Sequence, residues 1–424
     1  MLVRWLYTLL LALAAPLLLF GLYRSKPNKP KFGKRWKEHF GITPTLDGQN
    51  QPLWIHAVSV GESLAAIPLI KAIKEKTPDQ VIVVTTTTST GAEQIAKLGN
   101  LVEHRYMPID FAFAVRGFLK AINPAKMLII ETELWPNTLA TVHTANIPII
   151  VVNARLSEKS QQNYAKVQPL FNLIHPCLGK VLCQSQADAD RFAKLGIPTN
   201  KLSVTGSIKF DIHISDEIKH QGAELRTLLG QQRPVWIAAS THRGEDEQVL
   251  DAHRQVLETH PNALLILVPR HPERFDSVFE LCQTQGFETV RRTQANIIAD
   301  STQVYLGDTM GEMLVLLGAA DVCFMGGSLI GDKVGGHNVL EPAALGVPVI
   351  TGPSYYNFKD IVINLKQQES IYICCSSSSL ALAIISFLEN PRKVENQQAK
   401  LKIFIRDQQG SIKETMRVCH VLQS

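Results

Sequence analysis

The chain has 424 residues, too many for one compact core and suited to two domains of about 150 to 200 residues with an added segment. Hydrophobic residues at 45% against 19% charged exclude a disordered or collagen-like chain, and a mean hydropathy of +0.03 excludes a polytopic membrane protein. The formal charge of +5, from 43 Lys and Arg against 38 Asp and Glu, is too small to point to nucleic acid, although it suits an anionic substrate or membrane face.

The first element is a run of 19 residues without a charge, Trp5 to Tyr23. As a helix rising about 1.5 Å per residue it reaches roughly 28 Å, enough to span a bilayer. Pro16 sits inside the run and would kink a helix, so an interfacial or tilted anchor is the alternative. Arg24, Lys26, Lys29, Lys31, Lys34, Arg35 and Lys37 follow it, against the lone Arg4 before it. That asymmetry puts the rest of the chain on the cytoplasmic side with anionic lipid nearby, and it does not suit a cleaved signal peptide. The seven cysteines are odd in number and have no CxxC pair, which reads as reduced thiols used as small core residues.

Beyond the basic linker, short apolar runs alternate with amphipathic stretches: LWIHAV from Leu53, VIVVTT from Val81, KMLIIE from Lys126 and PIIVVN from Pro148. A second series runs through VWIAAS from Val235, ALLILVP from Ala263, QVYLG from Gln303, DVCFMGG from Asp321 and VPVI from Val347. This βα repetition predicts two doubly wound parallel sheets, joined between Gly206 and Arg233. The expected division is an anchor at 1–23, a basic juxtamembrane linker at 24–45, a first Rossmann-like domain at 46–212 and a second at 213–424.

Such sheets bind ligands at the carboxyl ends of their strands, so the motifs directly after the apolar runs carry the chemistry. In SVGES, Gly61 permits a tight turn and Glu62 stands at a helix N-terminus, where the dipole favours an ionised carboxylate able to act as a base; capping alone is the plainer reading. ETELWPN offers Glu131 and Glu133, two apart, of which one is expected to face the site. In GSIKFD, Lys209 falls in the expected interdomain segment, where its ammonium could reach an anion or simply be solvated. PRHPERF places Arg270, His271 and Arg274 after a strand, and a guanidinium suits a phosphodiester.

In MGGSLIGDKVGGHNVLEPAALG, Gly326, Gly327, Gly335 and Gly336 let the backbone approach a ligand. A helix is expected from near Asn338, its amides forming an anion site while Glu341 receives ribose hydroxyls. GDTMGEM adds Met310, Gly311 and Glu312 in a second glycine turn. No GxxxxGK[ST], strand-borne GxGxxG or HExxH is present, which argues against a P-loop hydrolase, a nicotinamide enzyme or a zinc protease and leaves metal catalysis without support.

Taken together, SVGE at Ser59, ETELWPN at Glu131, NARLS at Asn153, GSIKFD at Gly206, ASTHRGE at Ala239, PRHPERF at Pro269, GDTMGE at Gly307 and GGHNVLEPAALG at Gly335 resemble the bacterial 3-deoxy-D-manno-octulosonic acid (Kdo) transferase family. The resemblance runs from the anchor to Asn357-Phe358-Lys359. It implies a GT-B glycosyltransferase, two Rossmann-like domains facing a central cleft, acceptor side first and donor side second. It implies transfer of Kdo from CMP-Kdo to lipid IVA or Kdo-lipid IVA, with inversion and no required metal, at the cytoplasmic face of the inner membrane. By matching motifs, Glu62 corresponds to the proton acceptor, and Glu131 and Lys209 to transition-state stabilisers. CMP binding would fall to Pro269, Arg270, Met310, Gly311, Glu312, Asn338, Val339, Leu340 and Glu341. Two other readings remain open: a GT-B enzyme using a UDP-sugar on a glycolipid, and a membrane-tethered nucleotide-binding scaffold.

Overall fold

The computed structural model describes residues 2–24, 30–46, 51–212, 214–294 and 298–421. Lys26 and Lys29 of the basic cluster lie outside the described residues. The chain divides into two compact units, each with one seven-stranded, wholly parallel sheet.

Unit 1 holds β1 (Leu53–His56), β2 (Ile82–Thr86), β3 (Glu103–Tyr106), β4 (Lys126–Ile130), β5 (Ile149–Ala154), β6 (Lys180–Cys183) and β7 (Leu202–Val204), in the order β3-β2-β1-β4-β5-β6-β7. Successive residues serve opposite faces: Trp54, Val83, Met127, Ile129 and Val151 enter one apolar cluster. Ile55, Ile82, Val84, Leu128, Ile130 and Ile150 enter another. This two-sided burial is why the strands read as continuous apolar runs. The order reverses between β1 and β4, so the loops leaving these two strands flank the switch point where doubly wound sheets bind ligands. Those loops are SVGES and ETELWPN.

Unit 2 repeats the plan with β8 (Val235–Thr241), β9 (Leu264–Pro269), β10 (Thr289–Arg291), β11 (Val304–Leu306), β12 (Val322–Met325), β13 (Val349–Thr351) and β14 (Tyr372–Ile373), ordered β10-β11-β9-β8-β12-β13-β14. Its reversal lies between β8 and β12, flanked by THRGE and MGGS. All seven cysteines are free and five are buried, as small core residues would be.

The division differs from the expected one at the C-terminus. The boundary falls at Asp211/Ile212, but from Gln408 the chain rejoins unit 1, whereas the sequence reading assigned it to the second domain. Asp211 makes the join: its Oδ1 accepts from Gly410 N at 2.6 Å and its Oδ2 from Ile412 N at 2.5 Å, capping the helix Ser411–Val421. The described residues before β1 group with unit 1 as well.

The N-terminal helix, Leu2–Tyr23, is long and apolar enough to cross a bilayer by length and composition. It packs against the helices Pro136–Thr144 and Gln168–Ile174, and its partly covered residues form one stripe along its length: Val3, Arg4, Tyr7, Thr8, Leu11, Ala15, Leu19 and Leu22.

Replacing Asp211 by Ala removes two charge-assisted bonds, worth about 1.5–3 kcal/mol each. The expected outcome is faster amide hydrogen exchange across Ser411–Val421, with β1, β4 and unit 2 unaffected.

Candidate active site

At the carboxyl end of β1, Ser59 caps the helix Val60–Lys76, its Oγ accepting from Glu62 N at 3.4 Å. Glu62 returns the contact: its Oε1 accepts from Ser59 Oγ at 2.8 Å and its Oε2 from Val58 N at 2.6 Å. The capping reading is therefore correct as far as it goes. The same bonds lock the carboxylate in place at 8% exposure. Burial is the largest influence on Glu62 and pushes its pKa up; Glu133 and Glu131 push the same way, and the bonds from Ser59 and Val58 pull against them. Burial thus opposes the ionised form that the helix terminus is expected to favour.

Both Glu131 and Glu133 stand close enough for their charge to act on Glu62. The chain turns sharply after β4, with Glu131 itself in the left-handed region at φ 63°. Glu133 accepts from Trp135 Nε1 at 3.1 Å, and burial raises its pKa, with Glu131 adding to the rise. Glu131 pairs with Lys209, Oε1 to Nζ at 3.1 Å. Lys209 thus lies within unit 1 and is engaged, rather than free in a connecting segment.

NARLS braces this arrangement, a role that the sequence reading did not assign it. Asn153, fully buried and also left-handed at φ 57°, accepts from Ile208 N at 3.2 Å and so holds the turn carrying Lys209. Thr132 Oγ1 donates to Arg155 O at 2.5 Å, which ties in the turn carrying Glu131.

Unit 2 brings a different chemistry to the ends of β8, β9 and β12. Arg270 influences both His337 and Glu341, so the PRHP and GGHN motifs meet. Burial raises the Glu341 pKa, while the bond that its Oε1 accepts from Asn338 Nδ2 at 3.1 Å and the charge of Arg270 oppose the rise. His242 and His337 stack nearly parallel, with Nε2 to Nε2 at 2.8 Å, and His271 meets His242 edge-on. Burial first, then His271, Arg274 and Arg270, lowers His242 to about 4, and burial first, then His242, Arg270 and His271, lowers His337 to about 3, so both are neutral at neutral pH. The stacked pair was not singled out, although THRGE and GGHN both stood among the motifs.

The amides of the MGGS loop are already taken: Glu245 accepts from Gly327 N at 2.6 Å, Ser328 N at 2.8 Å, Leu329 N at 2.9 Å and His242 N at 3.0 Å. The helix after the second glycine pair runs Leu340–Leu345 from an N-cap at Val339, near Asn338 as expected and with Glu341 in its first turn, and Asn338 Oδ1 accepts from Leu340 N. The expectation that Arg274 stands free over the sheet end is corrected: it is spent on Asp246 and the Thr241 carbonyl. Gly327 is left-handed at φ 69°, and a Cβ there would sit 2.8 Å from His337 and Val334, so glycine is required. Of the remaining candidates, Pro269 ends β9, Met310 is 60% exposed, Gly311 is left-handed, and Glu312 is held in a two-point pair by Arg292 that lowers its pKa. Val339 and Leu340 are buried beside Asn338.

Glu245→Ala strands four amides at once, at about 1–3 kcal/mol for each left buried without a partner. The expected result is an unfolding free energy of unit 2 in urea lowered by several kcal/mol, or failure of unit 2 to fold, followed by tryptophan fluorescence.

Comparison with known proteins agrees with this geometry. Residues 34–212 match the family model described as 3-deoxy-D-manno-octulosonic-acid transferase, and residues 237–403 match glycosyl transferases group 1. The chain is similar to the 3-deoxy-D-manno-octulosonic acid transferase of Haemophilus influenzae, 39% identical over 392 residues, covering 92% of this chain and 91% of that protein. It is 33% identical to a probable mitochondrial 3-deoxy-D-manno-octulosonic acid transferase of Arabidopsis thaliana, covering 87% and 84%. Among solved structures it resembles UDP-GlcNAc 2-epimerase from Neisseria meningitidis, TM-score 0.55 and 13% identity, over 88% of this chain and all of that one, a likeness of the GT-B-like fold alone. The motifs, the two doubly wound sheets and the extent of these matches lead to one assignment: the chain belongs to the 3-deoxy-D-manno-octulosonic acid transferase family.

Proposed function

We propose that this protein transfers Kdo from CMP-Kdo to a lipid A precursor, lipid IVA or its Kdo-bearing form, in lipopolysaccharide biosynthesis. The observation that carries the reading is Glu62, buried and immobilised at a switch point, with its pKa raised and the Glu131–Lys209 pair beside it. A carboxylate with a raised pKa is a better base than an ordinary one, and one whose position is fixed needs no reorganisation to act. Two bonded oxygens still leave lone pairs free for a further proton.

In this reading the acceptor hydroxyl attacks the anomeric carbon of Kdo while the bond to the phosphate oxygen of CMP breaks. The hydroxyl proton passes to Glu62, CMP leaves with the electron pair, and displacement from one side inverts the centre. Lys209, kept oriented by Glu131, offsets negative charge developing in the transition state. On unit 2, Pro269 and Arg270, Met310 to Glu312 and Asn338 to Glu341 hold CMP. Arg270 meets the phosphate, and within the neutral His242–His337 pair, bonded Nε2 to Nε2, the ring whose Nε2 accepts keeps its Nδ1–H to donate. No step needs a metal.

A timed assay with lipid precursor, supplying CMP-Kdo in one arm and UDP-sugars in the other and read by product mass, tests the reading. Product from CMP-Kdo alone is expected, unchanged by chelator, whereas UDP-sugar products would favour the other glycolipid transferase. Glu62→Gln is expected to retain CMP binding and lose transfer by at least ~100-fold, the usual scale for a general base.

The pH profile follows from the signs. A raised pKa keeps Glu62 protonated to a higher pH, so transfer should fall below an acid limb lying above the ordinary glutamate range. Glu133→Gln removes a neighbouring negative charge that raises Glu62, so that limb should move to lower pH with transfer retained; an unmoved limb would detach Glu133 from the base.

A further inference from the structure

The geometry points to a bilayer leaflet as the partner of the N-terminal helix, met lengthwise: the helix lies in the membrane interface on the same side as the body and does not cross. The helix has two unlike faces. Its polar side chains turn towards unit 1 and form a lock on the helix Pro136–Thr144. Arg4 Nε donates to Asn137 Oδ1 at 2.9 Å, Thr8 Oγ1 accepts from Asn137 Nδ2 at 3.0 Å, and Tyr7 donates its hydroxyl to Asp110 Oδ2 at 2.8 Å. Asp110 in turn accepts from Thr138 N at 2.6 Å and Thr138 Oγ1 at 2.7 Å, so the lock is anchored in the body's own helix cap. At the far end Tyr23 meets His39 Nδ1 at 2.8 Å and packs edge-on to Phe32.

Both ends are therefore tied to one body, and the covered stripe continues between them over a helix about 33 Å long. A crossing helix held in this way would drag that length of unit 1 into hydrocarbon, Asn137 and Asp110 included, where polar groups and loops cost several kcal/mol each.

The opposite face is uniformly apolar and open: Leu2, Trp5, Leu6, Leu9, Leu10, Leu13, Leu17, Leu18 and Phe20 are each at least 55% exposed. A patch of this size needs a cover. The neighbouring surface says which, because Arg24, Lys31, Lys34 and Lys37 are exposed close by in sequence, with Trp36 among them at 45% exposure. Exposed basic and indole groups beside an acyl-seeking face match anionic headgroups above hydrocarbon. The lock residue Asn137 also ends the ETELWPN turn, so the leaflet is placed next to the segment that carries Glu131 and Glu133. The orientation itself stands whether or not the proposed transfer is correct.

The test uses the full chain with exposed Cys375 replaced by Ser, and bimane on Leu6→Cys, Leu13→Cys or Phe20→Cys, in phosphatidylethanolamine–phosphatidylglycerol vesicles. Depth is read by quenching from lipids brominated at successive carbons. Equal, shallow depths for the three positions are expected. A crossing helix would instead put Leu13 deepest, with Leu6 and Phe20 each about 10 Å shallower towards opposite faces, and would overturn the proposal. Absence of quenching, with association of the chain in solution, would overturn it in favour of a second copy as the cover. An Ala15→Cys probe on the covered stripe checks folding, since it should be quenched at least ~3-fold less than Leu13→Cys at the depth of an interfacial helix.

Discussion

Three carboxylates share the space beyond β1 and β4, and keeping them there against mutual repulsion is the constraint around which unit 1 is arranged. Glu62 and Glu133 are both shifted upwards by lost hydration and by their neighbours, and Lys209 is bound to Glu131. Glu62 is pinned by local bonds from Ser59 and Val58 and Glu133 by one from Trp135, and the turns carrying Lys209 and Glu131 are braced through Asn153 and Arg155. Left-handed backbone at Glu131 and Asn153 belongs with this: such strain persists only where surrounding bonds over-determine the geometry.

Unit 2 answers the same topological question with the opposite charge. Its loops gather Arg270, His271, His242 and His337, while the acidic groups nearby are turned to internal work, Glu245 on four amides and Asp246 on Arg274. One sheet plan therefore gathers three carboxylates at the strand ends of one half and an arginine with three histidines at those of the other, and the difference lies wholly in the loops.

Much of this was legible from the sequence because interior parallel strands must be apolar on both faces. The runs at Leu53, Val81, Lys126, Pro148, Val235, Ala263, Gln303, Asp321 and Val347 all coincide with strands. The strands passed over were β3, β6, β7, β10 and β14, and four of these are sheet edges. Edge strands bury less, so EHRY at Glu103 or TVR at Thr289 carries no apolar signature. The candidate residues were found because strand ends announce themselves. Their partners were not, because no local pattern ties Glu245 to amides 82 to 84 positions away, or Asn153 to Ile208. The upward shift of Glu62 was equally hidden, since it arises from burial and from two side chains that meet it only through the fold.

The path of the chain has an evolutionary consequence. Because it leaves unit 1 at Asp211 and returns at Gln408, unit 2 is an insertion within unit 1 in the topological sense. Exchange of the whole second unit between homologous genes must therefore occur at two breakpoints together, and a single crossover would mate the closing helix of one lineage with the sheet of another. Recombination is thus expected to preserve the first unit and its terminal helix as one inherited block.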